Sequence, residues 1–281
     1  MVIYNFTSKN NYHIQMESPL ISIITIVYNG QNHLEQAILS VLNQTYPHIE
    51  YIIIDGGSTD QSPRIIKKYE EKIHYWISEP DKGISDAFNK GIAKASGHII
   101  GIINADDWYD PGALYQVAEK MGDADICFGD IQLWKNGKKE FIQKGNLHLL
   151  NKEMTINHPT VFIKKKCYES FGNYDLRYRC AMDYDLLLRL KVNQCRFKHI
   201  PVVLANMRWG GFSDKNWKIG CRETLEIKNK YLPKNKTRHH LYYLKHLSAI
   251  QSAKTLSRMK LEGVTKFYRK LFSQVKKDYN P

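Results

Sequence analysis

The chain has 281 residues, 43% hydrophobic and 25% charged, with 41 Lys and Arg against 28 Asp and Glu and a formal net charge of +13. That is enough for one large domain with an appendage and a sizeable core, and it excludes wholesale disorder. The charge is uneven: Lys218 to Pro281 hold 16 basic and 4 acidic residues, so a nearly neutral body carries a basic tail that calls for an anionic partner such as a lipid surface, a nucleic acid or an acidic protein.

Residues 1–18 are polar and read as a lead-in. LISIITIVY (20–28) is rich in β-branched side chains and predicts a buried strand. Leu34, Ala37, Ile38, Val41 and Leu42 stand at helical spacing within 31–43. EYIIID (50–55) is the second strand, Gly56-Gly57 a tight turn, and Ser58 or Thr59 a cap for a helix over 60–72. HYWIS (74–78) is a short third strand, 84–95 a helix and HIIGIIN (98–104) a fourth strand, after which Pro111 opens another helix. Strand-like segments at 125–134 and 140–143 flank a KNGKK loop, TVFI is a further strand, and AMDYDLLLRLKV (181–192) a helix. Alternating strands and helices predict a mostly parallel sheet covered on both faces, with ligands bound outside the carboxyl ends of its strands.

Five cysteines, with no CxxC pair, signal neither a disulfide framework nor a zinc knuckle, and predict reduced thiols. The first twenty residues lack the apolar core of a signal peptide, and no apolar run approaches the ~18–20 residues of a membrane span. A cytoplasmic protein is expected.

Polar residues cluster where the strands end: Tyr28-Asn29-Gly30, Asp55-Gly56-Gly57-Ser58, and Asn104-Ala105-Asp106-Asp107. Adjacent carboxylates at Asp106 and Asp107 repel each other, which a divalent cation such as Mg²⁺ or Mn²⁺ would relieve, although Asp before Pro111 also suits a helix start. Asp55–Asp60 fits a phosphate cradle and equally an ordinary glycine-rich turn. Asp183, near a helix start and preceded by the polar pair Asn157-His158, fits a general base and equally a helix-terminal carboxylate. Asp185 and Arg189 are placed to pair across one helical turn.

These clusters sit in five stretches: SIITIVYNG (22–30), AILSVLNQTYPHIEYIIIDGGSTD (37–60), EPDKGISDAFNKGIAKASGHIIGIINADDWY (79–109), HPTVFIKKKCYESFGNYD (158–175) and AMDYDLLLRL (181–190). Together, and in this order, they resemble the family 2 glycosyltransferases over about Pro19 to Ser213. The resemblance implies a GT-A fold: α/β, Rossmann-like, a mostly parallel sheet flanked by helices, here with a basic helical C-terminal extension. It divides the chain into a lead-in (1–18), a catalytic domain (19–217) and the extension (218–281). Within the catalytic domain, 19–110 would form the nucleotide-sugar half and 111–217 the acceptor half.

By the same resemblance, Tyr28 lies against the nucleotide base. Asn29, Asp55, Gly56, Ser58, Asn104 and Asp106 bind the donor nucleotide, Asp107 with Asp106 holds Mn²⁺ or Mg²⁺, and Asp183 is the catalytic base. His158, Asp185 and Arg189 serve the acceptor or support the site. The chain departs from the family at Gly56, where many members have a second Asp that reads uracil, so UDP is only the default nucleotide. It departs also at Asn104, in place of a leading Asp, and at Met182, in place of the Glu before the base. The implied reaction is inverting transfer of a hexosyl or N-acetylhexosaminyl group from a nucleotide sugar to a glycan or lipid-linked glycan, in surface polysaccharide synthesis.

Two other classes compete. A nucleic-acid-binding protein fits the net charge but no nucleic-acid motif is present, and a sugar nucleotidyltransferase would show a basic phosphate loop where Tyr28–His33 has no Lys or Arg. In the tail, Leu261, Val264, Tyr268, Leu271, Phe272 and Val275 line one side of a helical wheel and lysines the other. Residues 238–281 therefore either lie on an anionic membrane, at its inner face, or pack on the body.

Overall fold

The structure is a computed structural model that describes residues 18–259. The wheel at 261–275, nearly all of the lead-in and the end of the basic tail lie outside the described residues.

In chain order the strands are β1 (Ile21–Val27), β2 (Ile49–Asp55), β3 (Tyr75–Ser78), β4 (Ile99–Asn104), β5 (Trp108–Tyr109), β6 (Ile126–Lys135), β7 (Lys138–Gln143), β8 (Val161–Lys164) and β9 (Phe197–Arg208). The helices are α1 (Leu34–Leu42), α2 (Ser62–Lys68), α3 (Ile84–Lys94), α4 (Ala113–Met121), α5 (Lys165–Phe171), α6 (Met182–Val192), α7 (Phe212–Lys215), α8 (Trp217–Tyr231) and α9 (Lys236–Arg258). The strands form one sheet in the order β3-β2-β1-β4-β8-β6-β9-β5, with β7 hairpinned onto β6. β1, β2, β3 and β4 are parallel neighbours, β8 is antiparallel to both β4 and β6, and β9 runs parallel to β6. β4, β6 and β9 therefore point the same way and end on one rim.

The alternation expected of the central strands places their side chains on two covered faces. Ile21, Ile23, Ile53, Ile99 and Ile103 pack toward Leu34, Ile38, Leu114 and Val117 of α1 and α4. Ile24, Ile52, Ile54, Ile100 and Ile102 pack toward Phe88, Tyr168, Leu186 and Ile227 of α3, α5, α6 and α8. All five cysteines are free thiols. Among the described residues no helix is long and apolar enough to cross a membrane.

Two local expectations are corrected. Pro111 does not open a helix: Ala113 N–H donates to the Asp110 carbonyl at 3.1 Å and Gly112 has φ of 76°, so Asp110–Ala113 is a type II turn and α4 begins after it. Neither Ser58 nor Thr59 caps α2, which starts behind Gln61, because the Ser58 hydroxyl is taken by Asp55. The sequence reading also passed over β9, twelve residues long and interrupted by Pro201, whose pairing with β6 shifts register beside Asp130.

At the sheet centre Gly101 pairs with Phe162, and a Cβ there would stand 2.5 Å from the Phe162 ring and 3.0 Å from Ile23. Gly101→Ala is expected to lower stability by about 1–3 kcal/mol through overpacking, read as a lower midpoint in urea unfolding.

Candidate active site

The loops after β1 and β2 are stitched to each other. Asn29 N–H donates to the Ser58 hydroxyl at 2.7 Å, Gly30 N–H to Ser62 at 3.0 Å and Gln31 N–H to Asp60 at 3.0 Å, while Asn29 accepts from Thr59 N–H at 2.9 Å. Asn29 takes φ of 50°, a left-handed conformation that Asn tolerates. Beneath them Asp55 is fully buried, accepting from Ser58 N–H at 3.0 Å and from the Ser58 and Ser78 hydroxyls at 2.5 Å each. Its carboxylate thus faces inward and fixes the loop, while Tyr28 stands 66% exposed above.

Gly56 is explained by a residue to which the sequence reading gave no role. A Cβ at Gly56 would collide with Asp81 Oδ2 and would lie 3.6 Å from the Tyr28 ring. Asp81, in the EPDKG loop, is anchored by the Gly83 N–H at 2.8 Å to its other oxygen. A carboxylate from a different loop occupies the space that a side chain at position 56 would fill.

At the end of β4, Asp107 is buried and its Oδ1 accepts from Arg208 N–H at 3.1 Å. Burial, and next the neighbouring Asp106 carboxylate, push the Asp107 carboxyl well above the usual range, with Arg208 and Asn104 opposing. The Arg208 guanidinium is held by the Asp106 carbonyl, by Gln36 at 2.5 Å and over the Trp108 ring at 4.4 Å. Asn104 Oδ1 is buried without a hydrogen-bond partner. These are hard oxygen donors, suited to Mg²⁺ or Mn²⁺. Among the described residues no group of three or more His, Cys, Asp or Glu forms a metal set, so a cation here would need further oxygens from a ligand or water.

Asp183 reaches this rim through β8. The antiparallel register of β4 with β8 carries the 3-10 turn His158–Thr160 alongside the end of β4. His158 stacks on Phe88 of α3 with ring centroids 4.9 Å apart, and its Nδ1 lies 3.2 Å from Asp183 Oδ1 in the first turn of α6. Asn157 Nδ2, His158 Nε2 and Asp183 Oδ1 are buried without hydrogen-bond partners, as Asn104 Oδ1 is. Native interiors seldom leave such atoms unpaired except where a ligand or water completes them.

α6 is held from a distance. Its start has no side-chain cap of its own, but the buried Glu223 carboxylate of α8 accepts the N–H groups of Arg179 at 2.9 Å, Cys180 at 2.8 Å and Ala181 at 2.9 Å. A carboxylate therefore does stand at the front of the Asp183 helix despite Met182, supplied by α8. Asp185 is fully buried, 3.7 Å from Arg189 as the spacing predicts, and also takes Lys230 at 3.1 Å and the Tyr231 hydroxyl at 3.0 Å. Arg189 donates to the Asn173 carbonyl at 2.6 Å. The sequence reading named neither Glu223 nor Arg208; nothing in their local sequence marks them, whereas Asp81 lay within the matched EPDKG stretch.

Residues 22–176 match the family described as Glycosyl transferase family 2. An uncharacterized glycosyltransferase of Mycobacterium tuberculosis is 31% identical over 184 residues, 61% of this chain and 69% of the relative. A PGL/p-HBAD biosynthesis glycosyltransferase of Mycobacterium bovis is 28% identical over 209 residues, 71% of this chain and 81% of the relative. Among solved structures, the mannosyltransferase PcManGT from Pyrobaculum calidifontis in complex with GDP-Man and Mn²⁺ superposes with a TM-score of 0.63 at 16% identity, over 92% of this chain and 84% of that one. S. aureus TarS 1–349 in complex with UDP-GlcNAc gives 0.59 at 15% identity, over 77% and 72%. Those likenesses establish the GT-A architecture. The protein is a glycosyltransferase by class, and the chain belongs to glycosyl transferase family 2.

Glu223→Ala strands three backbone donors at the front of α6 and is expected to cost about 2–3 kcal/mol. Urea unfolding monitored by circular dichroism checks it, and a midpoint equal to wild type would show that Glu223 does not hold the helix.

Proposed function

We propose that this chain is an inverting, metal-dependent transferase that moves a hexosyl or N-acetylhexosaminyl group from a UDP-sugar to a hydroxyl of a glycan or lipid-linked glycan acceptor in surface polysaccharide synthesis. What supports this reading is that the 158–160 turn, whose His158 lies 3.2 Å from Asp183, runs beside β4, the strand that leads to Asp106 and buried Asp107, with unpartnered polar atoms on both. Two structural neighbours hold nucleotide sugars, one UDP-GlcNAc and the other GDP-Man with Mn²⁺, which supports a nucleotide-sugar donor.

In this reading Tyr28 packs on the base, and Asn29, Gly56 and Ser58 shape the nucleoside pocket over the inward-facing Asp55. Asp81 Oδ2 accepts the imide N–H of uracil, the role that Gly56 cannot fill. Asn104 and Asp106 face ribose and diphosphate, and Asp107 with Asp106 would hold the cation. When bound, the cation supplies Lewis-acid neutralisation of the leaving diphosphate. The donor's C1–O bond breaks as the acceptor oxygen attacks from the opposite side, and Asp183 takes the hydroxyl proton. His158 stands 3.2 Å from the Asp183 carboxylate, while Asp185 and Arg189 fix the helix that carries it. No covalent enzyme intermediate is needed. Residues 19–110 serve the donor and 111–217 the acceptor; in the basic extension, 238–281, α9 packs on the body, with Tyr242 donating to Glu153 at 2.9 Å, and the extension's remaining cations would meet the inner face of an anionic membrane, where a lipid-linked acceptor would be found.

Asp183→Asn is expected to bind UDP and Mn²⁺ as wild type does and to lose transfer by at least about 10²-fold, the low end of general-base effects. A panel of nucleotide sugars screened with Mn²⁺ supplies the donor, and wild-type turnover by Asp183→Asn would end the assignment. A second outcome follows from Asp107. Its raised folded pKa means that the metal-free native state holds a proton which the unfolded chain has released. That contribution to stability is present at low pH and is lost as pH rises through the folded pKa. A cation must displace the same proton, so Mn²⁺ affinity should climb with pH, by at most about tenfold per pH unit. Titrations from the ordinary carboxyl range upward test this, and a profile flat throughout speaks against Asp107 as a ligand.

A further inference from the structure

Beyond Asp107 the rim carries a feature that none of these roles uses. The carboxyl ends of β6 and β9, the start of β5 and one residue of α1 enclose a cleft of about 270 Å³, walled by Trp108, Trp134 and Trp209 and edged by Arg208, Gln36 and Asn136. That is near the lower end of the ~300–1,000 Å³ range of small-molecule sites. Trp108 follows Asp107 directly in sequence, and Arg208 joins the cleft to the acidic motif through its hydrogen bond to Asp107.

The indoles are fixed before any ligand arrives. Trp134 Nε1–H donates to Asn206 Oδ1 at 2.8 Å, and Trp108 and Trp134 stand with ring centroids 5.3 Å apart at 54°. Trp209 is 38% exposed beside Phe141, and its backbone N–H donates to the Trp134 carbonyl at 2.8 Å. Asn136, at the tip of the β6–β7 hairpin, takes φ of 51°, so the turn that edges the cleft is tight.

We propose that this cleft is a subsite for a sugar ring of the acceptor glycan, an inference that rests on the glycosyltransferase reading above. A pyranose has two apolar C–H faces and a fringe of hydroxyls. The faces pack on indole rings, which pair a broad apolar surface with low conformational entropy. The fringe finds the guanidinium of Arg208 and the amides of Gln36 and Asn136. The acceptor suits the cleft better than the donor sugar does. Asn136 and Gly137 are exposed at the cleft's edge, so further units of a glycan can run out past the hairpin tip.

The test uses the full chain, saturated with UDP and Mn²⁺, on a printed array of oligosaccharides, with Trp209→Ala and Trp209→Tyr beside wild type. Wild type is expected to bind at least one glycan, Trp209→Ala to weaken that binding by about tenfold and Trp209→Tyr to keep it within about threefold. UDP titration of each sample confirms that the variants are folded. Nucleotide uptake with no glycan bound, or glycan binding unchanged in Trp209→Ala, overturns the cleft assignment. So does an effect confined to the affinity difference between UDP and a UDP-sugar, which would seat the donor's ring there instead. Failure to take up any nucleotide sugar is a different result, and sinks the transferase reading itself.

Discussion

Asp107 is an acid buried beside another acid, and the rest of the rim is arranged around that fact. Two adjacent carboxylates at the end of a hydrophobic strand are unfavourable unless protons, cations or donors compensate them. Arg208 answers from the end of β9 with a backbone N–H to Asp107, while its guanidinium is held by the Asp106 carbonyl, Gln36 and the Trp108 ring. One arginine thus ties β4, β9 and α1 together at the point where the strands end. The compensation is incomplete, since Asp107 still holds its proton well above the usual carboxyl range. A site left in that state favours a further positive charge.

The same economy of space governs the loops after β1 and β2. Asp55 is consumed in holding Ser58 and Ser78, and the carboxylate that stands against Gly56 comes from Asp81 on the next loop. Gly56 makes room for it.

α6 shows a parallel exchange. Its front lacks a local cap, yet Glu223 of α8 takes three backbone N–H groups there, and Lys230 and Tyr231 of the same helix close over Asp185. α8 spans the point at which the chain's charge turns basic, and its buried Glu223 is committed to holding the helix that carries Asp183.

The sequence alone carries the β-α alternation of the first hundred residues, because buried parallel strands must be apolar on both faces and helices between them amphipathic. It also determined the acidic pair at 106–107, the Asp185–Arg189 spacing and the family, because these depend on neighbours close along the chain. Tertiary structure alone decided β9, whose apolar pattern is broken by Pro201, and the parts played by Asp81, Glu223, Arg208 and the three tryptophans. Each of these acts on a partner at least 25 residues away or through a space that another residue vacates, and pattern and spacing along a chain carry no record of which distant atoms will meet.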